Sequence, residues 1–455
     1  MSDRKWSLVD LLLEYARPSQ LDLAARRLTL ETVSPPTARE ARTLARPRFF
    51  DGFLTRPGVA ALALRQVAQV AATSYFDRDR PLGVGADPLV TSDGSRLRFE
   101  AFSLCGGVLA RLDVLPSGLD GAFLERGTTN VDVNEPLRRL LTRVAGDDFL
   151  HLNVGSDGLV ATSPNEQAVE RKVALSDHWL RGFAEAQASA ATLEPCADLS
   201  GAEALRFLQQ LPRRAEGWII QSGTGLRLTS RPVPGGFWLS RADRLESLLP
   251  MLPQATSVRV YGPRASGEFE SASSIWQVDL RDARFLVHLS AAPARGFSGE
   301  GSVLLDLIES EAVADAEVIA GELDHQARLD PVQVGGQLDL SRERVVAGLA
   351  ALAVAGRVGY DVAEAGYFHR DLPFDALSVA RLHPRLRNAE GLVASGGVTL
   401  VSEDQADVVG TDTVHRVRSA SDAESCTCRW WTTHRGARGP CQHVLAVRLA
   451  RAEAR

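Results

Sequence analysis

The spacing of hydrophobic and polar positions changes along the chain and divides it into parts. In residues 1–85 apolar side chains recur at helical spacing, as in the run Val59–Val70. In residues 86–295 they alternate with polar ones between turn dipeptides such as Asp93-Gly94, which is typical of strands. The pattern predicts a mainly helical N-terminal region, with a turn at 46–53, and a central α+β region of mixed antiparallel β/α character, in one domain or two.

Residues 300–373 show a different order of elements. Their apolar positions predict three short helices, the third with Ser341 as its N-cap and its end at Gly356. Two strands, 357–361 and 366–369, follow and predict a hairpin. The apolar positions of the three helices are Val303, Leu304, Leu307 and Ile308; Val318, Ile319 and Leu323; and Val345, Val346, Leu349 and Leu352.

Three helices followed by a hairpin are the element order of a winged helix, so we expect a winged-helix-like unit here. The third helix of such a unit often enters the major groove of DNA. This one carries only Arg342 and Arg344 at its start, followed by alanine, glycine and valine. The composition favours a packing or protein-contact role, and DNA reading stays open as the alternative.

Residues 390–455 contain the most specific pattern of the chain. Three of the five cysteines lie here, in the order C-x-C, twelve residues, C-x-H. Two close pairs of thiolate and imidazole ligands are what a tetrahedral Zn²⁺ takes. The candidate metal ligands are Cys426, Cys428, Cys441 and His443.

The flanks of the ligand pairs predict a ββα-type arrangement. Short β-like runs at 397–401 and 414–418 precede the first pair, and an amphipathic helix follows the second. Cys441 would lie in the first turn of that helix, where the helix dipole favours the thiolate. His434, in the intervening loop, is an alternative fourth ligand, but His443 is favoured because the helix holds it in place. Four protein ligands predict a closed, structural zinc site.

The C-x-C-x12-C-x-H pattern resembles the SWIM zinc finger over about residues 395–452. Residues 361–373 and 435–443 also look like segments of large bacterial SWIM proteins. Some members of that group are encoded beside MoxR-type ATPases and von Willebrand A-domain proteins. The resemblance therefore implies a zinc-binding recognition protein, with a partner from an ATPase/von Willebrand A-domain system.

Basic and aromatic side chains surround the ligand pairs. From Ser425 to Arg455 there are six arginines and one acidic residue, Glu453. Such residues can stack on bases and neutralise phosphates. Alternatively, at least one tryptophan packs on the metal site, because so small a domain has little core. The candidate nucleic-acid contacts are Arg429, Trp430, Trp431, Arg435 and Arg438.

Composition limits the classes of function. The net charge of −6 argues against a protein that wraps a polyanion as a whole. No apolar run reaches the roughly 18–20 residues of a membrane helix, and no signal-peptide pattern follows Met1. The sequence predicts a cytoplasmic protein without membrane contact, in which the cysteines stay reduced.

The central region offers little sign of catalysis. Asn130, Asp132 and Asn134 would share one face of a strand and could bind a ligand, although a turn followed by a solvated strand face is the simpler interpretation. The sequence contains neither G-x-S-x-G nor H-E-x-x-H. We therefore expect no enzyme and no small-molecule substrate.

These patterns together predict a multidomain α+β protein that acts as a non-catalytic, zinc-binding adaptor and recognises protein or nucleic acid. A DNA-binding protein that uses the basic finger and the winged-helix-like unit is the first alternative. An enzyme with an unrecognised site in residues 86–290 is a weaker one.

Overall fold

The computed structural model describes residues 20–22, 27–29, 47–76, 88–146, 148–173, 177–263, 272–293, 296–304, 310–372, 383–410, 413–420, 423–436 and 438–454. The chain forms two compact units, residues 1–47 and 48–455. In the first unit β1 (Gln20–Asp22) pairs antiparallel with β2 (Arg27–Thr29). Helix is predicted at these positions, and strands of three residues are too short for a period of two to be recognised. The rest of this unit, up to residue 46, lies outside the described residues.

Two large antiparallel sheets and a smaller one form the main part of the second unit, residues 48–289. Its strands are β3 (Arg48–Leu54), β4 (Leu89–Ser92), β5 (Leu97–Phe102), β6 (Val108–Val114), β7 (Leu119–Phe123), β8 (Gly127–Asn130), β9 (His151–Gly155), β10 (Gly158–Thr162), β11 (Gln167–Arg171), β12 (Leu193–Leu199), β13 (Gly217–Ser222), β14 (Gly225–Thr229), β15 (Phe237–Leu239), β16 (Ser257–Pro263), β17 (Ser274–Asp279) and β18 (Ala283–Leu289). One sheet has the order β11-β10-β9-β3-β7, and the other has the order β12-β16-β17-β18-β6-β5-β4-β8. A smaller sheet has the order β14-β13-β15. The predicted α+β class, with mixed antiparallel sheets, is confirmed.

Helices pack on these sheets. They are α1 (Pro57–Ala71), α2 (Glu135–Arg143), α3 (Asp177–Ala191) and α4 (Gly201–Gln210). The helix predicted from Val59–Val70 is confirmed as α1, which begins with Pro57 and packs on β5 and β6. The turn expected at 46–53 is wrong. Residues Arg48–Leu54 form β3, because Phe50 and Leu54 are buried in the main core.

Residues 310–369 form three helices and a hairpin, but only two of these helices overlap helices predicted from the sequence. The elements are α5 (Ser310–Ala320), α6 (Pro331–Leu338), α7 (Arg342–Val354), β19 (Val358–Asp361) and β20 (Gly366–His369). Ser341 caps α7 as predicted by accepting a hydrogen bond from the Arg344 N–H. Of the helix expected at 303–308, residues 303 and 304 belong to a short 3-10 turn at Ser302–Leu304, and residues 305–308 lie outside the described residues. Helix α6 was not predicted, because Gly335 and Gly336 interrupt its helical pattern.

The hairpin packs against the eight-stranded sheet. Asp361 on β19 accepts a hydrogen bond from Arg98 on β5 at 2.9 Å, and its other carboxylate oxygen lies 3.1 Å from Arg111 on β6. Phe368 on β20 lies beneath the Arg98 guanidinium, 3.5 Å from it. All of these side chains are buried. The hairpin is therefore an internal contact of the second unit, as the packing interpretation of this region requires.

The C-terminal elements form a separate layer of sheet and helices. They are α8 (Pro384–Ala394), β21 (Val398–Ser402), β22 (Gln405–Val409), β23 (Val414–Ala420), β24 (Ala423–Cys426), α9 (Arg429–His434) and α10 (Gln442–Glu453). The strands pair antiparallel in chain order, and α10 packs across all of them and against α8. The strands predicted at 397–401 and 414–418 and the following helix are confirmed, whereas β22, α8 and α9 were not predicted. Among the described residues, no helix combines the length and apolar character that crossing a membrane requires.

Candidate metal centre

Three elements bring the C-x-C and C-x-H residues together. Cys426 ends β24, where it pairs with Val417. Cys428 is the N-cap of α9, and its sulfur accepts a hydrogen bond from the Trp431 N–H at 3.4 Å. Cys441 is the N-cap of α10, and His443 lies in the first turn of that helix. Both thiols of the helix caps thus lie at positive helix ends, where negative charge is stabilised.

The geometry fits a four-coordinate zinc. The ligand atoms of Cys426, Cys428, Cys441 and His443 all lie within 4.8 Å of one another, and each residue is buried. The Cys426 sulfur is 3.7 Å from His443 Nδ1. Tetrahedral Zn²⁺, with Zn–S of about 2.3 Å and Zn–N of about 2.0–2.1 Å, separates its ligand atoms by roughly 3.5–3.8 Å. The donor set and its spacing therefore suit zinc.

The three thiols are linked to one another by hydrogen bonds. The bonds from Cys426 and then Cys441 lower the pKa of Cys428 well below its ordinary value. Hydrogen bonds with Cys426 and then Cys428 raise the pKa of Cys441. A thiolate in this group is thus stabilised by hydrogen bonds from the neighbouring thiols. A divalent cation would displace the remaining thiol protons, so its binding would release protons and weaken at acidic pH.

His443 is oriented by neighbours outside the cluster. Its Nδ1 faces the thiols, and its Nε2 lies 3.4 Å from the side-chain amide of Gln442, which Asn388 holds by a hydrogen bond of 2.9 Å. The ring of His415 lies against the His443 ring, with centroids 4.4 Å apart. The contact with the His415 ring limits the rotation of the His443 ring.

His434, the alternative fourth ligand, lies outside this group of ligand atoms. Its ring packs edge-on against Trp430 at 4.5 Å, and its Nε2 is 3.4 Å from the Arg438 guanidinium. His443, as favoured from the sequence, completes the cluster.

The five candidate nucleic-acid contacts occupy different environments. Arg429 and Arg435 are exposed. Trp431 is half-buried and packs against the cluster that contains the cysteines. Two guanidinium groups lie over the ring of Trp430, with Arg385 4.5 Å and Arg438 4.7 Å from its centre. Trp430 and Arg438 thus make packing contacts within the chain.

Arg385 is the functional neighbour that the sequence analysis missed. It lies on α8, far along the chain from the ligand pairs, and donates hydrogen bonds to the carbonyls of Arg438 and Pro440 at 2.8 and 2.9 Å. Pro440 directly precedes Cys441. No local pattern marks Arg385, because its contacts exist only in the folded chain.

A second group of metal-ligating side chains fits an ion poorly. His325, His369 and Asp371 have ligand atoms within 4.8 Å of one another. His369 Nδ1 accepts a hydrogen bond from the His325 N–H, so the neutral ring carries its proton on Nε2, which lies 3.1 Å from Asp371. A metal at Nε2 would need that nitrogen to be unprotonated. Hydrogen bonding alone accounts for the arrangement at His369.

Asn130, Asp132 and Asn134 do not share the strand face considered from the sequence, because β8 ends at Asn130 and Asn134 is the N-cap of α2. Asn130 is fully buried and donates a hydrogen bond to the carbonyl of Val173. Asn134 donates from its backbone and its side chain to the Glu170 carboxylate, at 3.2 and 2.8 Å. Burial raises the pKa of Glu170. Because Asn130 is buried, the run is not the solvated strand face expected from the sequence either.

Comparison with known proteins adds little to this geometry. No family model and no curated protein matches the chain. Among solved structures, the crystal structure of Proliferating Cellular Nuclear Antigen from Entamoeba histolytica is similar to it at 12% identity, over 53% of this chain and 98% of that chain, with a TM-score of 0.35. A likeness at this level carries no functional argument, so the candidate metal centre depends on its own geometry.

Proposed function

We propose that this protein is a zinc-binding, non-catalytic adaptor whose C-terminal residues form a SWIM-type zinc finger. The observation that carries the proposal is the buried group of Cys426, Cys428, Cys441 and His443. Four protein ligands complete a tetrahedral shell and leave no position for a substrate or a reactive water. Zinc would then stabilise the fold of the finger, and the surface of the finger would perform recognition.

Recognition of a protein is better supported than recognition of DNA. Trp430 and Arg438 pack within the chain, which leaves Arg429 and Arg435 as the exposed members of the predicted nucleic-acid set. In the winged-helix-like unit, Arg344 pairs with Asp315 at 2.6 Å, and the hairpin packs on the large sheet. A partner protein, such as a component of an ATPase/von Willebrand A-domain system, is therefore the partner we propose.

The zinc assignment is tested by metal content. Purified chain should carry about one zinc per molecule, and Cys441→Ser should lose it, because three ligands hold structural zinc poorly. Cys196→Ser is the matched control, since Cys196 lies on β12 outside the cluster and its loss should leave zinc in place. Zinc retained by Cys441→Ser, or missing from the unmodified chain purified without chelator, would contradict the proposal.

The choice between protein and DNA is tested with a labelled duplex in a fluorescence anisotropy titration. We expect no measurable binding at about 50 mM salt. A protein that neutralises several phosphates binds at low salt and loses affinity steeply by about 200 mM. Binding at low salt with that steep loss of affinity would establish the DNA-binding alternative instead. The salt dependence should then become weaker when Arg429 and Arg435 are both replaced by alanine.

A further inference from the structure

Residues 296–304, here called the junction segment, contact two separate hydrophobic cores. At one end the Phe297 N–H donates to the Gly106 carbonyl at 2.9 Å, and the Phe297 ring packs against Phe102 in the main core. At the other end Leu304 is fully buried against Leu386 and Leu445, on α8 and α10. The junction segment therefore connects the large sheet to the helices of the finger.

The loop that carries the zinc ligands rests directly on this segment. Arg438 donates a hydrogen bond to the Gly299 carbonyl at 2.6 Å. Gly439 approaches Gly301 so closely that a Cβ on Gly439 would lie 1.9 Å from the Gly301 carbonyl oxygen. Gly439 also has a φ of +73°, which a residue with a side chain adopts only with strain. The contact is backbone against backbone and depends on glycine.

Arg385 joins the two sides of this contact. Its guanidinium donates to the Glu300 carbonyl of the junction segment at 2.6 Å and to the carbonyls of Arg438 and Pro440 in the ligand loop. It also covers the ring of Trp430, which lies in the first turn after Cys428. Burial lowers the pKa of Arg385 to about 10, so the group is still charged at neutral pH. One side chain thus contacts Pro440, directly before Cys441, Trp430, two residues after Cys428, and the segment that leads to the main core.

We propose that Arg385 is a positioning residue for the zinc ligands and that, through it, zinc binding fastens the finger to the junction segment. The inference rests on the zinc site proposed above. If zinc stabilises the docked loop, the docked loop must strengthen zinc binding by the same factor, because coupling between two binding events is reciprocal. Loss of outer contacts of this kind weakens metal binding by about 10–100-fold.

Two variants test the coupling from opposite sides. Arg385→Ala removes the guanidinium. The second variant is Gly301→Ala, at a position far from the ligands in sequence. The added Cβ would lie 2.1 Å from Arg385 Nη2, so the guanidinium must move. In competition with a chromophoric zinc chelator, both variants should bind zinc about 10–100-fold more weakly than the unmodified chain. Arg448→Ala is the matched control. Arg448 pairs with Glu424, and its replacement should leave the zinc affinity of the chain unchanged.

Amide hydrogen exchange supplies the second measurement. Zinc removal from the unmodified chain should speed exchange in residues 296–304, and Arg385→Ala should do the same with zinc bound. Zinc affinity in both variants equal to that of the unmodified chain, with unchanged exchange in the junction segment, would overturn the coupling and leave the zinc site intact. An unmodified chain that holds no zinc would instead overturn the proposed function. If Arg385→Ala does not fold, Gly301→Ala alone decides.

Discussion

His288 lies on β18, an inner strand of the eight-stranded sheet, where almost none of its surface is exposed. Its Nε2 is 3.4 Å from the Ser189 hydroxyl, and its ring packs against Phe297. Burial, followed by the positive charges of Arg111 and Arg244, lowers the pKa of His288 to about 3. The residue is therefore neutral in the folded protein at pH values where a histidine in the unfolded chain is protonated.

This shift predicts acid sensitivity with a definite sign. Between pH 6.5 and about 3 the unfolded chain binds the extra proton, so the free energy of unfolding decreases as the pH falls through that range. His288 alone should account for a loss of about 2 kcal/mol between pH 8 and pH 5. Urea unfolding at pH 8 and at pH 5 would measure this contribution. The decrease in the free energy of unfolding between the two pH values should be about 2 kcal/mol smaller in His288→Leu than in the unmodified chain. Zinc release at low pH affects both chains equally, and equal losses would contradict the prediction.

The hairpin of β19 and β20 shows how charge positions an element. Burial alone would raise the pKa of Asp361, but Arg111 and Arg98 lower it well below its ordinary value, so the carboxylate is charged. Arg370, just after β20, forms a buried ion pair with Glu100 on β5. The hairpin is therefore held to the sheet by several buried ion pairs that must form together.

Removal of one member of these pairs should be costly. Asp361→Asn keeps the volume of the side chain but leaves Arg98 and Arg111 buried with one carboxylate fewer. The free energy of unfolding should decrease by about 3–5 kcal/mol, which the midpoint of urea unfolding would measure. Asp407→Asn breaks an exposed pair with Arg416 and serves as the control, with little expected change. A similar effect of both substitutions would argue against this account of the hairpin.

In the second unit, the main core is distinct from the core of the proposed zinc finger, which is called the finger core here. The finger core contains three of the four candidate metal ligands among a few buried side chains, and they are Cys426, Cys428 and Cys441. The main core extends over both large sheets and includes none of them. Stability of the finger should therefore depend on the metal far more than stability of the central region does.

Calorimetry can separate the two cores. A strong chelator should lower the temperature of a smaller heat-absorption transition, which belongs to the finger, and leave the main transition in place. The fluorescence of Trp430 and Trp431, which pack on the finger core, should follow the smaller transition. Cys441→Ser should give the same trace with and without chelator. A single transition that shifts as a whole would contradict this division.

Much of the fold could be predicted because its determinants are local. The period of apolar residues in α1, the cap at Ser341 and the hairpin after Gly356 each depend on neighbours a few residues away. Strand β3 could not be predicted, because its strand character comes from pairing with β7 and β9, which lie much later in the chain. Helix α9 is short and begins at a cysteine cap, so it has no periodic pattern of its own.

The sequence by itself determined which side chains form the buried cluster, since C-x-C and C-x-H hold each pair of donors within one turn or strand end. Only the tertiary structure decided what surrounds them. The sequence left open whether Trp430 faces solvent or the protein, and the structure shows that it packs against the guanidinium groups of Arg385 and Arg438. Arg385 and the junction segment meet the ligand loop only in three dimensions, because packing joins residues that no local spacing relates.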